Sequence, residues 1–126
     1  MDTNEVSGTI VDAAMKVHTA LGPGLLEGAY QQCLVYELRK RGRQVLSQLA
    51  LPVTYDGVEV GLGYRIDLLV DTSVIVELKA VDKLLPIHQA QLLSYLKLSR
   101  RSVGLLINFH SLHLKDGIKR MVNHTR

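Results

Sequence analysis

Apolar residues recur at three- and four-residue intervals from the start of the chain. Val6, Ile10, Ala13/Ala14, Val17 and Leu21 predict a helix over residues 4–21, with Asn4 as its candidate cap. Gly22-Pro23-Gly24 stops it, since Gly22 suits a left-handed position past the helix end and Pro23 cannot continue the helix. This glycine pair is no phosphate loop, because no Gly-Lys-Ser/Thr follows. The helical period resumes with Leu26, Ala29/Tyr30, Cys33/Leu34 and Leu38, predicting a second helix over 26–41 that Gly42 ends.

Beyond Gly42 the pattern becomes that of strands. Residues 44–54 and 58–63 read as two strands around the turn Tyr55-Asp56-Gly57, and Pro52 makes the first an edge strand or splits it. Two apolar runs, 65–70 and 74–79, flank Asp71-Thr72-Ser73 and read as a hairpin with a three-residue loop. Residues 82–86 form a loop, and Pro86 suits the first position of a helix continuing over 87–100. Residues 103–109 are almost continuously apolar, as in a strand covered on both faces. A last strand at 112–114 and a closing helix at 116–122 complete the reading. A helical crossover between the strands at 74 and 103 normally returns the second parallel to the first. The expected fold is therefore a three-layer α/β domain, a mixed central sheet flanked by helices.

Ionisable residues break this pattern at one place. Asp67 interrupts the first strand of the hairpin, and Glu77 and Lys79 interrupt the second. With Val70 facing Val74, the same register sets Asp67 opposite Glu77, and alternation puts Asp67, Glu77 and Lys79 on one face. Facing carboxylates repel, and a divalent cation would remove the conflict. The Leu78 carbonyl between Glu77 and Lys79 could supply it with another oxygen. Lys79 could hold a water or neutralise the transition state of phosphodiester hydrolysis. The competing explanation is a buried ion pair from Lys79 to Glu77 or Asp67, but such pairs add little net stability once desolvation is counted.

Two helices carry further polar candidates. Glu27, in the first turn of the second helix, either complements the positive helix end or is a third acid pointed at the sheet. Gln91 and Tyr95, four apart, share one face of the third helix, where a glutamine among Ala90, Leu92, Leu93 and Leu96 needs a hydrogen-bonding partner.

Composition narrows the partners. At 126 residues the chain is the size of one domain, expected to span 1–126 without repeats or linkers. No run approaches the ~20 apolar residues of a membrane span, and the polar, acidic start reads as no signal peptide. Cys33 is alone, which excludes an internal disulfide or a thiol zinc site and makes a reducing cytoplasm the expected location. A net charge of +3 and a pI near 9.1 are mildly basic and compatible with a polyanion. Basic clusters at Arg39-Lys40-Arg41-Arg43 and Arg100-Arg101 end helices, where the dipole favours cations, and could also meet phosphates. His110 and His113, three apart in a predicted strand region, would face opposite sides, and His88 reads as a surface residue.

Asp67 followed by Glu77-Leu78-Lys79 on the next strand resembles the PD-(D/E)xK nuclease superfamily, which includes restriction endonucleases, resolvases and RecB-type exonucleases. Gln91-Leu92-Leu93-Ser94-Tyr95 resembles the Q-x-x-x-Y element of its RecB-like branch. Gly24-Leu25-Leu26-Glu27, the E-L-K-A run and Leu106-Ile107-Asn108-Phe109 together resemble the small bacterial GxxExxxR proteins. The resemblance runs from about Val6 to Lys115 and implies a restriction-endonuclease-like fold and a nuclease using Mg²⁺ or Mn²⁺. It implies Asp67, Glu77, Glu27 and the Leu78 carbonyl as metal ligands, Lys79 as the catalytic lysine, and Gln91 and Tyr95 as supporting groups. DNA before RNA is the implied substrate, with a homodimer spanning a duplex. Two positions depart from the pattern: Ile66 replaces the signature proline, and Gln31 stands where the namesake arginine falls. The competing function is a non-catalytic module that keeps the fold and binds nucleic acid or a partner protein.

Overall fold

The computed structural model describes residues 2–124, with Gly61 and Leu62 described by their backbone alone. Helix α1 spans Thr3–Leu21 and α2 spans Glu27–Lys40. Strands β1 (Val45–Tyr55), β2 (Val58–Val70) and β3 (Val74–Lys79) follow, then α3 (Pro86–Ser99), β4 (Val103–Asn108), a 3₁₀ turn (Leu114–Gly117) and β5 (Ile118–Val122). The five strands form one sheet in chain order, antiparallel except for the parallel pair β3–β4 that α3 connects.

Two apolar clusters fill the space on either side of this sheet. Val6, Ile10, Ala13, Tyr30, Leu34 and Leu38 from α1 and α2 pack on Leu68, Val70, Val74, Val76 and Leu78. Leu92, Tyr95 and Leu96 from α3 pack on Ile66, Leu69, Ile75 and Leu106. Strands β3 and β4 are covered on both faces, which is why their runs are continuously apolar. The expected three layers and mixed sheet are present.

The predicted hairpin register holds, with Val70 paired to Val74 and Leu68 to Val76. Strand β1 lies at the sheet edge, and its ladder shifts register between Leu51 and Val53, as Pro52 requires. Several expectations are corrected. Residues 58–63 and 65–70 belong to one continuous strand, because β1 pairs with β2 on both sides of the register shift. Asp2 caps α1 by accepting the Asn4 N–H at 2.9 Å, while the Asn4 side chain accepts from Arg120. Leu21 and Leu26 are exposed, since they sit where the helices end and pass beyond the layer they would bury against. The C-terminal segment is not strand then helix but 3₁₀ turn then strand. Residues 118–122 pair antiparallel with β4 and satisfy an edge whose backbone groups would otherwise be open. His110 and His113 consequently lie in the loop after β4 rather than on a strand.

One irregularity sits beside the candidate acids. Ile66 and Leu68 are two apart on β2 and should share a face, yet Ile66 packs on the α3 side and Leu68 on the α1–α2 side. Val45 and Leu49 on β1 show the same switch. Between the pairs Ser47–Leu68 and Leu49–Ile66 stands Gln48, at a left-handed φ of 52°. There the edge strand turns over and β2 turns with it, bringing Asp67 to the switch point.

Candidate active site

The β2–β3 ladder ends at Leu68–Val76, one residue before the acids. From there side chains replace backbone pairing. The Asp67 N–H donates to Glu77 Oε2 at 2.7 Å, and the Leu78 N–H donates to Asp67 Oδ2 at 2.9 Å. Each carboxylate is thus pinned by the opposite strand's backbone, and the two acids are direct neighbours. Glu77 is buried at 5% exposure, Asp67 and Lys79 are half-buried, and the Leu78 side chain anchors the same strand in the α1–α2 core.

Electrostatics follow from burial. Desolvation, and then the charge of Asp67, push the Glu77 carboxyl up to about 8 against the opposing pull of the Asp67 N–H and Lys79. Burial likewise raises Asp67, opposed by the Leu78 N–H, Lys79 and a hydrogen bond from Gln48. Glu27 is raised by burial and by Asp67 and lowered by Lys79, so it belongs to the same electrostatic group. Lys79 acts on all three acids through space; among the described residues none of the four forms an ion pair.

Glu27 reaches this group because the loop before it is locked. The Tyr30 hydroxyl donates to the Gly22 carbonyl at 2.6 Å and accepts the Leu25 N–H at 3.0 Å, while its ring stacks on Phe109 at 4.5 Å. Leu26 caps α2 without a side-chain hydrogen bond, which leaves Glu27 in the open first turn. From the other side of the sheet, α3 brings Tyr95, buried and raised by desolvation and by the charge of Glu77. Gln91, half-buried on the same face of α3, lies near enough to the Tyr95 hydroxyl to draw its pKa down.

Three further groups belong to this site beyond the candidates that the sequence pattern offers. Gln48 stands across from Asp67, whose pKa it lowers, and its Nε2 donates to Gln31 Oε1 of α2 at 3.1 Å. Asn108 clamps the chain leaving Lys79, accepting the Val81 N–H at 3.1 Å and donating to the Val81 carbonyl at 2.8 Å. Tyr64 sets its ring 5.9 Å from that of Tyr95. A polar residue lodged in an apolar strand end, as Asn108 is, was the one available cue. By contrast, part of the basic cluster after α2 is committed to structure: Arg41 pairs with Glu37 and Asp12, and Arg43 with Asp71 and Glu5.

Whether this donor set fits a divalent cation depends on its chemistry. Among the described residues no three of His, Cys, Asp and Glu form a ready-made ligand cage. Mg²⁺ is nonetheless commonly held by one or two carboxylates together with waters and substrate phosphate. Two adjacent carboxylates, one buried and one half-buried, raised in pKa and without an ion pair among the described residues, fit that pattern.

No match was found among curated proteins, and none among solved structures. A family model described as the PD-(D/E)XK nuclease superfamily matches residues 4–121, nearly the whole chain and every element described above. The three-layer fold and its mixed sheet are those of that α/β, restriction-endonuclease-like class, and the chain belongs to the PD-(D/E)XK nuclease superfamily.

Proposed function

We propose that this protein is a divalent-metal-dependent nuclease that hydrolyses nucleic-acid phosphodiester bonds, DNA before RNA, as a single domain over residues 1–126. The observation that carries the reading is the adjacent Asp67–Glu77 pair, in which both acids are oriented by backbone N–H groups and neither forms an ion pair among the described residues. Asp67, Glu77 and the Leu78 carbonyl would hold Mg²⁺ or Mn²⁺, with Glu27 completing the site from α2. A bound cation supplies charge neutralisation at the phosphate and a lower pKa for a water.

The chain's own residues do the rest. Asp67 and Glu77 are ionised in the working state, so a cation offsets the desolvation that otherwise raises both. Lys79, half-buried and unpaired among the described residues, is free to hold the attacking water or the developing charge on the phosphate. Tyr95, steadied by Gln91, borders Glu77 and limits solvent on the α3 side. The arrangement of Gln91 and Tyr95 favours the RecB-like branch, and the run around Gly24 and Glu27 the GxxExxxR proteins.

The test is a cleavage assay on single- and double-stranded DNA and RNA, with and without Mg²⁺ or Mn²⁺. Metal-dependent cleavage is expected, reduced about 10³-fold or more by Asp67→Ala and by Lys79→Ala. Cleavage that survives both substitutions contradicts the assigned residues. Metal-independent binding without cleavage of any substrate favours the non-catalytic module.

A further inference from the structure

We propose that Gln48 is a positioning residue for Asp67: from a left-handed turn in edge strand β1, its amide ties the Asp67 carboxylate to Gln31 of α2 and fixes how that carboxylate meets a cation. The inference rests on the metal-site reading of Asp67 and Glu77 given above.

The backbone supplies the first argument. Gln48 sits at a φ of 52° within a strand, a conformation that glycine takes freely and that asparagine tolerates better than glutamine. The fold alone would be served as well or better by glycine at this position. A glutamine here therefore points to its side chain, and strained non-glycine residues are characteristic of functional sites.

The side chain supplies the second. A glutamine amide offers two N–H donors and one acceptor. One donor goes to Gln31 Oε1 at 3.1 Å. Asp67 stands directly across from Gln48, between the pairs Ser47–Leu68 and Leu49–Ile66, so the second N–H is in reach of a carboxylate that can only accept, and the amide draws the Asp67 pKa down. With Leu78 N–H already on Asp67 Oδ2, Asp67 has two anchors from two neighbouring strands. Two anchors remove the carboxylate's rotation while leaving lone pairs for a cation. Partners of this kind behind a ligand orient it, and their loss weakens metal binding.

A purely structural role makes the opposite forecast, since the Gln48–Gln31 bond also joins β1 to α2. Gln48→Gly separates the two, because it deletes the amide and relieves the backbone. The expected result is a Tm, measured without divalent cation, at or above that of the wild type, together with an Mn²⁺ dissociation constant about tenfold weaker by calorimetry. Mn²⁺ electron paramagnetic resonance is expected to report a larger free-ion fraction at the same concentrations. Gln48→Asn accepts the left-handed backbone but stops one methylene short of Asp67, and should show the same weakening. Wild-type Mn²⁺ affinity in either folded variant overturns the proposal alone. A wild-type protein that binds no Mn²⁺ overturns the metal-site reading and this proposal with it.

Discussion

At the turn end of the β2–β3 hairpin, Asp71 is buried, and its carboxylate meets the Arg43 guanidinium at 2.9 Å and the Gln44 N–H at 2.8 Å. Six and four residues along the chain, at the open end, Glu77 and Asp67 meet backbone N–H groups and each other. The turn is itself unusual, with left-handed φ at Asp71 and Thr72, and the chain braces it with Arg43 on the Asp71 carboxylate and Arg101 on the Thr72 carbonyl. So one hairpin carries acids at both ends and gives an ion pair to only one among the described residues. Where an acid serves the fold, the sequence supplies its counter-charge. Where burial raises both acids and no ion pair meets them, the counter-charge is expected from outside.

This contrast can be broken by substitution. The largest expected effect is on activity: Asp67→Asn should lower metal-dependent cleavage by about 10³-fold, whereas Asp71→Asn, if folded, should leave kcat within a few-fold of wild type. Comparable losses from both substitutions would erase the distinction. Stability should respond in the reverse order. Arg43→Met strands a buried Asp71 and is expected to cost about 3 kcal/mol by denaturant unfolding. Glu77→Gln removes a carboxyl that resists ionisation, and should leave the metal-free protein equally stable or more stable at pH 8.

A pH series sharpens the same point. The Glu77 carboxyl is pushed up to about 8 from its ordinary 4.5, so the folded state binds its proton more tightly. Its contribution is present below about 4.5 and is lost as pH rises towards 8, on the order of a few kcal/mol. Asp67 and Glu27, both raised, act in the same direction. Tm measured with a chelator should therefore fall between pH 5 and 8, and Glu77→Gln should flatten that fall. A Tm that rises across this window in the wild type and is untouched by Glu77→Gln would contradict the assigned burial. The smallest effect is expected at Tyr95→Phe, which keeps the packing in the α3 layer and loses the hydroxyl that Gln91 meets: a several-fold drop in kcat with little change in Tm.

Much of this was legible in the sequence because local rules and tertiary structure agreed. The Asp71-Thr72-Ser73 loop set the hairpin register, and an E-x-K triplet inside Val74–Lys79 stood out against an apolar background. Gln48 was not legible, since nothing in a glutamine announces a left-handed backbone and its partners lie on α2 and β2. The strand at Ile118–Val122 was missed because its five residues lack strict alternation, and the open edge of β4 decides its conformation. Leu21 and Leu26 satisfied the helical period yet lie at helix ends, where periodicity says nothing about what covers them. Asp67 and Glu77 were expected to face each other across a regular ladder. Instead the ladder ends beside them, and that opening lets each acid take the other strand's N–H.

The most direct measurement is a calorimetric titration of Mn²⁺ into the wild-type protein, Asp67→Asn, Glu77→Gln and Asp71→Asn at pH 7.5. The account predicts a site in the wild type that Asp71→Asn retains and that both Asp67→Asn and Glu77→Gln abolish or weaken by at least about tenfold. Equal binding in all four proteins, or a loss confined to Asp71→Asn, would contradict it.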